Sequence, residues 1–323
     1  MYSRQGERNV EPVCYEQGHV DKVLDIIKNT FSKYFDDFIS YEGITGISEN
    51  DFQKIANSLG VESKKKRKTT DKKQSYKNII IQGLDSFEKD RQKYLDILDE
   101  ETLDEYKDDP PSFKSKTLRY ECPIIHSTLQ NKRAKALDKY RYEFNVANAN
   151  ELLSVVTNLN NFAVNYVNNV YDPNEYDNIT GYVDLLFSEL DSQSCTVYGV
   201  IGGGIKSHML YKLYPSVFPN RSRAAVWALW YLSDKKVIDC HMDSEFLMID
   251  EKESTTQQNY FYPYQLFAFY AHQIFQMLKI EAEKHDVYLD TEYRYVIVDS
   301  FLSFVADIHE PEINSFGELN RGD

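Results

Sequence analysis

The chain has 323 residues, with 51 acidic and 37 basic side chains and a formal net charge of −14. Apolar residues make up 42 % and aromatic residues 14 %, which excludes disorder for most of the chain. No apolar run approaches the roughly 18 residues of a membrane-spanning helix, so no membrane partner is expected. The acidic balance also excludes a generally basic nucleic-acid-binding protein, so any contact with nucleic acid has to come from local patches.

The cysteines and the N-terminus indicate a reducing compartment. Cys14, Cys122, Cys195 and Cys240 are widely spaced and include no C-x-x-C pair. This spacing indicates neither a zinc knuckle nor a disulfide framework, and it favours buried free thiols. The polar N-terminal segment lacks the apolar core of a secretion signal. We therefore expect a cytoplasmic protein.

The first half of the chain is predicted to be helical. Apolar residues recur at helical spacing from Val20 to Ile39, and a capping pattern at Ser48 with a glycine at Gly60 predicts a short helix after it. Lysine and arginine are dense over 64–77, which fits either a solvated linker or a phosphate-binding arm. The predicted segments are a flexible leader (1–17), a helical part (18–63), a basic linker (64–80) and a second helical part (81–177).

Residues 178–323 change character and predict an α/β domain, with α+β as an alternative. Cys195–Ile201 is β-branched and aromatic, 237–242 and 245–251 resemble short strands, and 293–300 is a continuous apolar run typical of a central strand. Helices are predicted around 220–233, capped by Asn220 or Ser222, and over 262–286. The expected fold is a helical N-terminal region followed by a smaller mixed sheet covered by helices.

Charged residues at the end of one predicted strand suggest a metal-dependent nuclease. Asp250 and Lys252 are two positions apart on a strand, so their side chains point to the same face. A carboxylate at Asp239 or Asp243 precedes them. Two converging carboxylates can hold Mg²⁺, and a lysine can orient the attacking water or stabilise charge on the phosphate. The alternative is that these residues simply begin a polar loop.

The order of elements over about residues 221–300 resembles the PD-(D/E)XK nuclease superfamily, in its RecB-type branch. That resemblance implies Asp243 or Asp239 and Asp250 as Mg²⁺ ligands, Lys252 as the catalytic lysine, and Gln265 on the following helix as a further catalytic residue. The sequence departs from the pattern because no clear Pro-Asp precedes the Asp-x-Lys pair. A role in restriction or anti-phage defence follows by analogy alone.

A glycine-rich loop gives the second chemical hypothesis. Gly202, Gly203 and Gly204 follow a predicted strand and lead through Ile205 to Lys206 and a helix, which resembles a degenerate P-loop for nucleotide phosphates. The inserted Ile205 displaces the lysine from its usual place. Tight packing between strand and helix is the alternative role of these glycines.

Further basic residues could contact a phosphate backbone. Arg221 and Arg223 stand at a helix start, and Lys132 and Lys135 recur at helical spacing. The aromatic segment 259–275 has more rings than one buried helix face can hold, which favours a protein partner or a homo-oligomer. The sequence thus predicts a protein that acts on nucleic acid, with a non-catalytic binding module and a nucleotide-binding protein as alternatives.

Overall fold

A computed structural model describes residues 11–40, 72–132, 134, 137–240, 245–250 and 255–318. The helices of the first half are α1 (Gln17–Ser40), α2 (Lys72–Glu88), α3 (Arg91–Ile97), α4 (Glu100–Glu105), a π-helix (Phe113–Glu121), α5 (Pro123–Gln130), α6 (Asp138–Val146) and α7 (Ala149–Asn169). The second half contains α8 (Gly203–Leu213), α9 (Arg223–Leu232), β1 (Leu247–Asp250), β2 (Thr255–Gln258), α10 (Tyr264–Lys284), α11 (Arg294–Ile308) and α12 (Glu310–Glu318). Short 3-10 helices and one helical turn connect them: Pro12–Tyr15, Tyr106–Asp108, Pro110–Ser112, Tyr176–Asn178, Tyr182–Leu185, Ser188–Asp191, Gln193–Cys195 and Thr291–Tyr293.

The predicted α/β fold is wrong. The sheet in the described part of the chain is a two-stranded antiparallel hairpin, in which Leu247 pairs with Gln258 and Asp250 with Thr255. The apolar run predicted as a central strand lies in α11 instead. That helix packs against α2, α9 and α10, so it needs apolar residues around most of its circumference. A helix buried on several sides and a buried strand give the same uninterrupted apolar pattern.

Two other predicted strands are also absent. Residues 193–195 form a 3-10 helix, followed by a tight turn that one isolated bridge closes between Val197 and Ile201. Gly199 sits in this turn with a φ of 77°, which a residue with a side chain rarely adopts. Residues 237–240 form no strand, and 241–242 lie outside the described residues.

Several helices are confirmed, and they explain where the core lies. α1 covers the predicted periodic segment and buries its apolar side against α2, α9, α10 and α11. α9 begins after Ser222, whose hydroxyl accepts a hydrogen bond from the Ala225 amide at 3.0 Å. α10 forms as expected. The N-terminal helix therefore shares one hydrophobic core with helices from the far end of the sequence.

Some predicted segments fall outside the described residues or change identity. The predicted short helix between Ser48 and Gly60 lies outside them, as do residues 64–71 of the predicted basic linker. The rest of that linker, from Lys72, is helical, and Pro12–Tyr15 of the predicted leader forms a 3-10 helix. Among the helices described, none combines the length and the apolar character needed to cross a membrane.

Candidate metal centre

Four potential metal ligands converge where the N-terminal segment meets the segment after α9. Cys14 lies in the 3-10 helix Pro12–Tyr15 and His19 in the first turn of α1. Cys240 and Glu245 lie between α9 and β1. One ligand atom from each of the four residues lies within 4.8 Å of all the others. The fold of α1 onto α9 thus brings together residues that are 226 positions apart.

The distances fit a tetrahedral ion. Cys14 Sγ and Cys240 Sγ are 3.7 Å apart. Two thiolates bound to one tetrahedral Zn²⁺ at about 2.3 Å would be separated by about 3.8 Å. The Cys240 Sγ to Glu245 Oε2 distance is 3.8 Å, and His19 Nε2 to Glu245 Oε2 is 3.9 Å. The imidazole and carboxylate need to move inward by only about half an ångström to reach the usual Zn–N and Zn–O distances.

The donor atoms are buried and incompletely satisfied. Cys14, His19 and Glu245 are at most 3 % exposed, and Cys240 is partly buried. Neither ring nitrogen of His19 has a hydrogen-bond partner among the described residues, and neither has Glu245 Oε1. A buried polar atom without a partner costs about 1–3 kcal/mol. A bound cation would satisfy the His19 nitrogen and the Glu245 carboxylate that face it.

Burial and mutual hydrogen bonding set the protonation of the metal-free cluster. The hydrogen bond with Cys240 lowers the pKa of Cys14 to about 6, whereas that same bond together with burial raises the pKa of Cys240. Burial raises the pKa of Glu245 to about 7. Burial alone would lower the pKa of His19, but Cys14 and Glu245 outweigh it and the net shift is upward. The cluster therefore holds protons that a metal ion would displace on binding.

Contacts around the cluster fix both segments that supply it. Lys22, one turn along α1 from His19, forms a 2.5 Å ion pair with Asp239, which precedes Cys240. Asn259 donates its amide to the Glu245 carbonyl oxygen at 3.3 Å, and its backbone NH bonds to the Phe246 carbonyl oxygen at 2.8 Å. These bonds support the ligands from outside the cluster, as is usual at metal sites.

The residues predicted for a Mg²⁺ nuclease are not brought together among the described residues. Asp243 and Lys252 lie outside the described part of the chain, and Asp250 ends β1. Asp239 is occupied by its ion pair with Lys22, and Gln265 is buried in the first turn of α10. The structure contains the hairpin and the long helix expected from the nuclease resemblance, but the segment expected to form the next strand is the helix α11. Mg²⁺-dependent hydrolysis at these residues stays a prediction.

Two of the predicted phosphate-binding cations, Lys206 of the glycine loop and Arg221 just before α9, are engaged internally. Lys206 is buried, and its Nζ donates to the Leu190 carbonyl oxygen and, at 3.2 Å, to Thr196 Oγ1. Arg221 is buried too, and its Nη2 donates to the Asn259 carbonyl oxygen at 2.5 Å. A Cβ added at Gly203 would lie 2.4 Å from Arg221 Nη1. The glycine thus makes room for a guanidinium, and Gly204 packs beside the Arg221 backbone.

The remaining basic residues of the sequence prediction are at the surface or undescribed. Arg223, at the start of α9, and Lys132, after α5, are exposed, and Lys135 lies outside the described residues. Sequence reasoning missed the metal cluster because its ligands come from two distant segments. The one local signal is a repeated spacing, since Cys14 precedes His19 by five positions and Cys240 precedes Glu245 by five.

Comparisons with known proteins do not assign the chain to a family. No family model matches it, and no curated protein or solved structure shows significant similarity to it.

Proposed function

We propose that this protein binds one Zn²⁺ ion through Cys14, His19, Cys240 and Glu245, and that the ion fastens the N-terminal segment to the segment after α9. The observation that carries this proposal is the convergence of four donor atoms, three of them on buried residues, within 4.8 Å of one another. The burial of Cys14, His19 and Glu245, with the His19 ring nitrogens and Glu245 Oε1 lacking hydrogen-bond partners among the described residues, separates this cluster from the exposed acidic groups that occur on any protein surface.

The donor set favours zinc over magnesium. Two thiolates and an imidazole are the soft and borderline ligands that Zn²⁺ prefers, whereas Mg²⁺ takes oxygen ligands in an octahedron. Two thiolates, one carboxylate and a neutral imidazole give the site a charge of about −1 once Zn²⁺ is bound.

The geometry supports a structural role for the ion. Structural zinc sites have four protein ligands, whereas catalytic sites keep a position open for water or substrate. Here all four positions are supplied by side chains, and three of the four residues are buried. The ion would link segments at opposite ends of the sequence, which stabilises the packing of α1 on α9. Free thiol ligands suit a reducing compartment, so a cytoplasmic location is part of this proposal.

Metal analysis of the purified protein tests the proposal. Elemental mass spectrometry of protein produced without a polyhistidine tag is expected to find one zinc per chain. Cys14→Ser and Glu245→Gln are expected to lose it. Cys195→Ser is the matched control, because Cys195 is equally buried but outside the cluster, and it is expected to keep the metal.

A second measurement covers the case in which ligand variants fail to fold. Wild-type protein stripped of metal and titrated with Co²⁺ should show the visible bands of tetrahedral cobalt and a sulfur-to-cobalt charge-transfer band. Wild-type protein without zinc that also gives no such bands would overturn the proposal.

A further inference from the structure

Exposed tyrosines and basic residues gather where the π-helix, α6 and the turn 197–201 meet. Tyr120, Tyr142 and Tyr198 are 62 %, 64 % and 67 % exposed, although tyrosine is a residue of intermediate burial. Lys116, on the same π-helix as Tyr120, and Lys139, on the same helix as Tyr142, are also exposed. We call these five residues, together with Arg119, the tyrosine–basic surface.

Direct contacts hold together the three elements that carry these residues. Lys114 Nζ donates to the carbonyl oxygens of Asn145 and Ala147 at 2.8 and 2.6 Å, so the π-helix is bound to the end of α6. Arg119 Nη2 donates to Asn145 Oδ1 at 2.7 Å. On the other side of α6, a Cβ at Gly199 would lie 2.9 Å from Glu143 Cγ, so the turn that carries Tyr198 rests on α6.

The charge of this region is opposite to that of the whole chain. Residues 113–147 contain eight basic side chains and three acidic ones, a local balance of 8 − 3 = +5, whereas the whole chain carries −14. One of the three acids, Asp138, is paired with Arg141 at 2.6 Å. Lys116 and Lys139 are exposed, and neither forms an ion pair within the described ranges, although hydrogen bonds from Ser112 and the charge of Lys116 lower the pKa of Asp109. An anionic partner can therefore reach both ammonium groups.

We infer that the tyrosine–basic surface binds single-stranded nucleic acid. Exposed aromatic rings stack on unpaired bases, and neighbouring lysines and arginines neutralise the phosphates between them. The bases of a duplex are already stacked on one another, so its phosphates can contact the basic side chains but its bases cannot stack on the three tyrosine rings. Arg119 is held in place by Asn145 and lies 5.0 Å from the Phe144 ring, which fixes its charge against α6. Long π-helices are rare and are frequently found at functional sites, which agrees with this location.

Fluorescence anisotropy with labelled oligonucleotides of about 20 nucleotides tests the inference, since such lengths cover typical single-strand sites. Oligothymidine and oligouridine serve as probes, and a duplex of equal length is the comparison. Wild-type protein is expected to bind both single strands, and the ratio of their affinities shows whether DNA or RNA is preferred. The variant Tyr120→Ala/Tyr142→Ala/Tyr198→Ala is expected to bind at least about a hundredfold more weakly.

Two further variants separate stacking from charge. Tyr288→Ala is the matched control, because Tyr288 is 82 % exposed but outside the surface, and its affinity should equal that of wild type. Lys116→Ala/Lys139→Ala should lower the dependence of log affinity on log salt by about 1.4, at about 0.7 per phosphate contact. The inference is overturned if wild type binds neither single strand at low salt, if the triple tyrosine variant binds like Tyr288→Ala, or if the duplex binds as tightly as the single strands.

Discussion

Removing zinc should destabilise the wild-type protein by a measurable amount. Cys14 and Cys240 are 226 positions apart and meet only when the chain folds, so Zn²⁺ binds the folded state and its binding free energy stabilises that state. A ligand that binds only the folded state stabilises it by about 2.7 kcal/mol at a free concentration 100 times its dissociation constant, and by about 4.1 kcal/mol at 1,000 times. With free Zn²⁺ in that range, removing it should lower the free energy of unfolding by about 2–4 kcal/mol.

Urea unfolding followed by tryptophan fluorescence measures this loss. The chain has two tryptophans, Trp227 and Trp230, and both are buried in α9, the helix that leads to Cys240. Zinc-loaded protein is compared with the same protein after dialysis against a chelator, with the metal content measured in both. The metal-free sample should unfold at lower urea, and added Zn²⁺ should restore the midpoint.

A ligand variant makes the comparison specific. Cys240→Ser should already have the lower midpoint, and the chelator should leave it unchanged. Cys122→Ser is the control for losing a buried thiol, and the chelator should lower its midpoint by as much as in wild type. The reasoning is refuted if the chelator removes bound zinc from wild type and the unfolding midpoint stays where it was.

Three further predictions concern the helical core. Asp177→Asn removes the carboxylate that pairs with the fully buried Arg294 at 2.9 Å, and it should cost about 2–3 kcal/mol in urea unfolding. Burial raises the pKa of Asp299 from 3.8 to about 6, so the folded protein keeps this proton to higher pH than the unfolded chain and stability falls as the pH rises through that range. Asp299→Asn should therefore be more stable than wild type by about 2–3 kcal/mol at pH 7, with no advantage at pH values below 3.8. Gly203→Ala places a methyl group 2.4 Å from Arg221 Nη1 and should cost about 1–3 kcal/mol.

Each of these has a result that would count against it. A loss below about 1 kcal/mol for Asp177→Asn would mean that Arg294 finds other partners. If Asp299→Asn raises the free energy of unfolding by the same amount at every pH, the pKa of Asp299 is not raised in the folded protein. For Gly203, the control is Gly202→Ala, where an added Cβ has open space within 4 Å and only helix-start preferences change. Equal stability of the two variants would show that the Arg221 contact does not require glycine.

The helices that the sequence identified share a clear amphipathic pattern or a cap. α1 alternates buried and exposed residues at helical spacing because only one side of it meets the core. Ser222 marks the start of α9 in the same local way. Such signals depend on neighbours within a few positions, so they can be found without knowing the tertiary structure.

The sequence predictions are wrong where contacts between distant segments determine the structure. α11 is surrounded by other helices, so its sequence lacks the helical spacing of apolar and polar residues that distinguishes an amphipathic helix from a strand. The metal cluster was missed for the same reason, because its two pairs of ligands come together only when α1 packs on α9. Two buried cations, Lys206 of the glycine loop and Arg221 before α9, were misinterpreted for the opposite reason. Their charge predicted a phosphate ligand, but both side chains bond to backbone oxygens inside the protein.

X-ray absorption at the zinc edge is the most direct test of the metal centre. We predict two sulfur atoms at about 2.3 Å from the ion, supplied by Cys14 and Cys240. One nitrogen atom from His19 and one oxygen atom from Glu245 should lie at about 2.0–2.2 Å. A shell of nitrogen and oxygen alone, or of four sulfur atoms, would contradict the account.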